Sequence, residues 1–101
     1  MRQIEHPRLD EVSLETALSA LGDPVRLSIV TILADRKEHL QADFDAPVSK
    51  STLSHHMRTL REAGIVWSRP QGTRCFVSLR PEFDEHFPQL LNSVLRLRLE
   101  R

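Results

Sequence analysis

The stretch from Ser49 to Gly64 constrains this chain more than any other. With Leu53 at 0° and each residue advanced by about 100°, Met57 falls near about 40°, Leu60 near about −20° and Gly64 near about 20°. These positions draw one narrow stripe suited to burial, and the wheel carries a helix through Gly64. Ser51, His55, Arg58 and Glu62 lie on the far side, flanked by Lys50, Thr52 and Ser54. A helix with an aliphatic inner face and an outer face of hydroxyls, amine, imidazole and guanidinium is anchored on one side and presents the other for contact. His56 sits at the edge of the apolar stripe and reads as a partly buried histidine. Adjacent helix residues diverge by about 100°, so His55 and His56 do not make a metal pair. Arg61 and Glu62 read as a solvated helix end.

The flanking segments supply the support such a helix needs. Leu14, Ala17, Leu18 and Leu21 share a face between Ser13 and Leu21, with Gly22 just past the end. Asp23 is placed to cap a second helix with Pro24 at its first position, where the missing N–H costs nothing. That helix is expected to reach about Asp35, with Leu27, Val30 and Leu33 inward. Residues 36–48 have weak periodicity and several turn formers, which predicts a short helix or irregular stretch. After Gly64, Ile65–Arg69, the turn Pro70-Gln71-Gly72-Thr73 and Arg74–Arg80 read as a two-stranded hairpin. Trp67 is expected to pack. Cys75, sharing a strand side with Val77 and Leu79, is expected as an inert buried thiol. Residues Pro81–Arg101 are helical by pattern, with Pro88 starting or kinking the main helix. Phe83, Phe87, Leu90, Leu91, Val94 and Leu95 form a band too broad for an exposed terminal helix, which a partner subunit would explain.

A chain of 101 residues supports one domain, spanning 1–101. Its single cysteine excludes an internal disulfide framework and any paired-cysteine metal knuckle, and a cytoplasmic location is the expectation. Neither a signal-type apolar start nor a membrane-length apolar run occurs. Formal net charge is zero, but its distribution is uneven. Residues 1–47 hold five Lys/Arg against nine Asp/Glu; residues 48–80 hold six against one; residues 81–101 hold three against four. A basic centre between acidic flanks is the asymmetry expected where one face meets phosphate. The sequence offers no nucleophile–base–orienter set and no phosphate loop, so an enzyme is not expected.

Three motifs in series then carry a resemblance. Leu21-Gly22-Asp23-Pro24-Val25-Arg26-Leu27, the run Ser49 to Val66, and the turn Gln71-Gly72 resemble the ArsR/SmtB family of bacterial transcriptional repressors over about residues 13–80. The resemblance implies a winged helix-turn-helix: mainly α, with a two-stranded β-hairpin wing, homodimeric through its first and last helices. Double-stranded DNA is then the partner, met by Lys50, Ser51, Thr52, Ser54, His55 and Arg58 on the helix. Arg69, Gln71, Gly72, Thr73 and Arg74 belong to the wing. Leu14, Leu18, Phe87, Leu90, Leu91, Val94 and Leu95 are the expected dimer residues. Two-fold symmetry implies an inverted-repeat operator. A winged-helix module that binds protein instead stays open, although it leaves the central positive charge unexplained.

The chain departs from the family's metal sensors. Glu38–Asp45 lacks their cysteine pair, and of a four-ligand zinc pattern only Asp84, His86 and Glu100 are present, Leu97 standing where another ligand would be. No cofactor is expected; an incomplete set of this kind would hold zinc weakly. An organic ligand, a weak metal, a redox change at Cys75 or no signal at all stay open as the event that releases DNA.

Overall fold

The computed structural model describes residues 4–100; Met1–Gln3, and Arg101 at the end of the expected terminal helix, lie outside them. The elements follow as α1 (Leu14–Leu21), α2 (Pro24–Ile32), β1 (His39–Leu40), α3 (Lys50–Glu62), β2 (Val66–Gln71), β3 (Arg74–Leu79), α4 (Pro81–His86) and α5 (Leu90–Leu99). Among the described residues no single helix is long and apolar enough to cross a membrane.

Local chemistry sets the helix starts. Ser13 Oγ accepts from the Thr16 N–H at 3.1 Å, which caps α1. Asp23 Oδ2 accepts from the N–H groups of Val25 at 2.9 Å and Arg26 at 3.0 Å, with Pro24 at the first position of α2. The α-helical part of α2 stops at Ile32, three residues short of expectation. A 3₁₀ turn over Leu33–Asp35 tightens its end, and Arg36, at φ 65°, redirects the chain. Inside α2, Ile29 joins Val30 in full burial while Leu27 is only half-buried.

The wing differs from a plain hairpin in two ways. A third strand, β1, pairs antiparallel with β3 through His39 opposite Val77 and Leu40 opposite Phe76, so the sheet order is β1-β3-β2. Two residues are too few to display strand alternation in sequence. A 3₁₀ turn at Gln41–Asp43 follows β1, so residues 36–48 are irregular except for these two short pieces. Secondly, β2 runs on through Pro70 and Gln71 rather than turning there, pairing Pro70 with Cys75 and Gln71 with Arg74. An edge strand tolerates proline because no partner needs its missing N–H. The turn is the two residues Gly72 and Thr73, with φ 62° at Gly72 and no positive φ at Thr73, the pattern of a type II′ turn.

The core gathers Ile29, Leu33, Met57, Leu60, Ile65, Val77, Phe83 and Leu91 from the helices and sheet. The α3 helix ends at Glu62, two residues before the wheel's expectation. Gly64, at φ 74°, lets the Ile65 N–H return to the Leu60 carbonyl at 3.0 Å, closing a Schellman-type end. A β-carbon there would stand 2.8 Å from Leu9 Cδ1, so Gly64 also admits the N-terminal segment to the core. That segment is pinned at two further points. His6 Nε2 accepts from the Ser68 N–H at 2.9 Å, and Arg80 donates to the Pro7 carbonyl at 2.7 Å. Trp67 stacks on the His6 ring at 3.7 Å, which gives it the packing role expected.

The expected C-terminal helix is broken. Its first piece ends at His86, and Phe87, just before Pro88, leaves helical geometry (φ −122°, ψ 74°), out of the α region that a following proline disfavours. Gln89 at φ 67° then redirects the chain into α5.

Candidate nucleic-acid interface

Packing fixes which face of α3 is offered. Leu53, Met57 and Leu60 are buried, while Lys50, Ser51, Thr52, Ser54, His55 and Arg58 are all exposed. Ser49 Oγ accepts from the Thr52 N–H at 3.2 Å and donates to Thr52 Oγ1 at 3.0 Å, so the cap sits one residue before the polar face, which opens with the helix at Lys50. The remaining free N–H groups of that first turn point outward with the positive end of the helix dipole, a site suited to a phosphate oxygen.

Arg26, which the Leu21–Leu27 motif contains but to which the sequence assigns no role, fixes how α3 sits. Its Nε donates to the Ala20 carbonyl at 2.7 Å and its Nη2 to the Ser19 carbonyl at 3.3 Å, tying α2 to the end of α1. Its Nη1 donates to His56 Nδ1 at 3.0 Å, tying both to α3. His56 therefore accepts through Nδ1 and is turned inward, as its place on the wheel implied, while His55 faces out. Arg26 backbone N–H donation holds the Asp23 carboxyl below its usual range, with the Arg26 charge and the Val25 N–H acting in the same direction.

The wing brings some of its expected residues to the same side and withholds others. Arg74 is exposed beside the start of α3, lining one recess together with Lys50, Ser54 and Thr73. Gly72 and Thr73 form the open tip. Arg69 is committed elsewhere: its Nε and Nη2 donate to Glu38 at 2.8 and 2.9 Å, and its Nη1 donates to Gln71 Oε1 at 3.0 Å. Its charge also lies 4.8 Å from the Phe76 ring centroid. The Arg69 guanidinium holds the Glu38 carboxyl below its ordinary range, and Glu38 in turn raises Arg69. Glu38 is 31 residues from Arg69 in sequence, and no local pattern announces the pair. Among the described residues, Lys50, Arg58 and Arg74 have no acidic partner.

The expected dimer residues divide as well. Leu14 and Leu18 are each 47% exposed, one turn apart on α1. Phe87, Leu90 and Val94 are half-buried. Leu91 and Leu95 are buried in this chain's own core, because α5 turns its i, i+4 pair inward, so they are not available to a partner. Leu97, at 56% exposed, takes their place in a stripe with Leu90 and Val94 that the sequence reading missed. Of the candidate zinc ligands, Asp84 is ion-paired with Arg36 and His86 meets the Phe87 ring edge-on at 4.7 Å. Asp84, His86 and Glu100 are not brought together within the chain; among the described residues no three His, Cys, Asp or Glu side chains converge. Cys75 is half-buried rather than buried.

A recognition-type helix standing on a short-loop helix pair, with a β-wing at its flank, defines a winged helix-turn-helix DNA-binding protein. A family model described as a helix-turn-helix domain matches residues 21–69. The chain is 34% identical over 88 residues to the arsenical resistance operon repressor of Staphylococcus xylosus, spanning 80% of this chain and 79% of that one. It is 33% identical over 102 residues to a transcriptional repressor SmtB homolog of Synechocystis sp., spanning 93% and 74%. Among solved structures, the transcriptional repressor BigR from Xylella fastidiosa superposes with a TM-score of 0.66 at 28% identity, over 83% of this chain and 84% of that one. The chain belongs to the ArsR/SmtB family of DNA-binding winged helix-turn-helix transcriptional regulators.

Proposed function

We infer that two copies of this chain act together as a cytoplasmic repressor on an inverted-repeat operator, each inserting the exposed face of α3 into a major groove. The observation that carries this reading is a set of exposed cations with no acidic partner among the described residues: Lys50 and Arg58 on α3 and Arg74 on β3, with Lys50 and Arg74 lining one recess. Charges with no internal use, beside short hydroxyl side chains on a helix held by its opposite face, fit phosphate contacts next to base edges. Ser51, Thr52, Ser54 and His55 are the base-reading candidates, and the tip residues Gly72 and Thr73 lie along the backbone. Arg69 and Gln71 play a supporting part by bracing the wing against Glu38.

Dimerisation is supported by apolar stripes that the monomer leaves open, Leu14 and Leu18 on α1 and Leu90, Val94 and Leu97 on α5. Symmetry would then place the two recognition helices about one DNA turn, roughly 34 Å, apart. The test is a gel shift on duplex from the chain's own promoter region, run beside sedimentation equilibrium of the free protein. A retarded band with competition by specific over random duplex, and a dimer in solution, support the reading. A monomer that binds no duplex at low salt refutes it.

A further inference from the structure

A cavity of about 520 Å³ lies between the start of α3 and the wing, and base or phosphate contact does not account for its interior. Leu40, Phe44, Val48 and Leu53 give it apolar walls, and Lys50 and Arg74 belong to its exposed lining. No acidic side chain lines it, and neither cation has an acidic partner among the described residues. Another apolar recess, along α2, is smaller at about 180 Å³ and includes Asp45 in its wall.

A volume in the range of about 300–1,000 Å³ with mostly apolar walls and a few polar groups is what small-molecule sites share. The charge pattern narrows the chemistry. A neutral apolar molecule would leave both cations unused, and inorganic phosphate would leave the apolar walls wet. A compact hydrocarbon tail ending in one carboxylate satisfies both halves: the tail displaces water from Leu40, Phe44, Val48 and Leu53, and the head pairs with Lys50 and Arg74.

We propose that this cavity binds a small amphipathic carboxylate and that its occupancy opposes DNA binding. Rested on the DNA-binding reading above, the opposition follows because Lys50, Ser54, Thr73 and Arg74 serve both sites. A bound carboxylate neutralises cations that would otherwise meet phosphate, so each ligand weakens the other by the same factor.

The test uses the full chain labelled with nitrogen-15 and three probes, octanoate, octanamide and acetate, titrated first without DNA. Octanoate is expected to give saturable amide shifts centred on residues 40–54 and 73–75. Octanamide, lacking the charge-assisted hydrogen bonds, should bind about tenfold more weakly or worse, and acetate should not saturate. Ala42→Trp, at an exposed position in the lining, and Val48→Phe are each expected to abolish octanoate binding while duplex binding persists. Octanoate at about nine times its own Kd should raise the apparent Kd for duplex about tenfold, as direct competition requires. Equal binding of octanoate and octanamide, no saturable octanoate shift, or undiminished octanoate binding in both cavity variants would overturn the site. Saturable octanoate binding with an unchanged duplex Kd would overturn the opposition. A chain that takes octanoate but binds no duplex would count against the DNA reading and leave the carboxylate site standing.

Discussion

Replacing Arg58 and Arg74 together with alanine separates electrostatic anchoring from folding. Both side chains are exposed and have no acidic partner among the described residues, so their loss should leave the melting temperature almost unchanged. Their loss should be felt on DNA. A dimer offers two copies each of Lys50, Arg58 and Arg74; with every one neutralising a phosphate, log K against log salt has a slope of about −5.4, at about −0.9 per phosphate. The double variant keeps only the Lys50 pair, and its slope falls to about −1.8. Between 50 and 200 mM salt the parent should lose about 3 decades of affinity and the variant about 1. Fluorescence anisotropy of a labelled operator duplex across a potassium chloride series reads both slopes. An unchanged slope in a variant that melts like the parent would remove Arg58 and Arg74 from the phosphate contacts and refute the reasoning.

Three other perturbations follow from named contacts. Glu38→Gln withdraws the charge that occupies Arg69, so the salt slope should steepen by up to about 0.9 per chain, measured in the same anisotropy series; an unaltered slope would mean Arg69 stays bound to the wing. His6 should make stability pH-dependent. Burial and the Arg80 and Arg61 charges lower its pKa from the ordinary 6.5, and its Nε2 must stay unprotonated to accept from Ser68. The unfolded chain then binds more protons, so stability is full above about pH 6.5 and declines as pH falls below it. Urea midpoints should show this slope in the parent and a flatter one in His6→Gln between pH 7.5 and 5.5, above the range where Asp23, Asp35 and Glu38 titrate, since their pKa values are lowered. Gly64→Ala forces a left-handed alanine, which costs about 1–2 kcal/mol, and displaces Leu9. A urea midpoint that does not fall would show that the turn relaxes freely.

The parts of this molecule legible in sequence are those governed by short-range rules. The Asp23-Pro24 start of α2 and the division of α3 into Leu53, Met57 and Leu60 against Lys50, Ser54 and Arg58 are written in adjacent residues, and all are found. Longer-range features were not legible. Strand β1 exists only because β3 offers Val77 and Phe76 as partners, and two residues carry no periodicity of their own. Glu38 with Arg69, His6 with Ser68, and Arg26 with His56 are pairs separated by 31, 62 and 30 residues. The misplacement of Leu91 and Leu95 has a different cause. The band Phe87–Leu95 is wider than one helix face, and pattern alone does not say which edge turns toward the chain's own core. In the candidate interface, charge composition points to the basic region but does not distinguish Arg74, without an acidic partner among the described residues, from Arg69, which is paired with Glu38.

Methylation interference on the promoter duplex reaches the recognition geometry itself. Dimethyl sulfate marks guanine N7 in the major groove, where the hydroxyl and imidazole side chains of α3 should lie. Two symmetric patches of interference, their centres about 10 base pairs apart on one face of the duplex, are expected. A single patch, or binding indifferent to N7 methylation, would contradict a pair of α3 helices seated in successive major grooves.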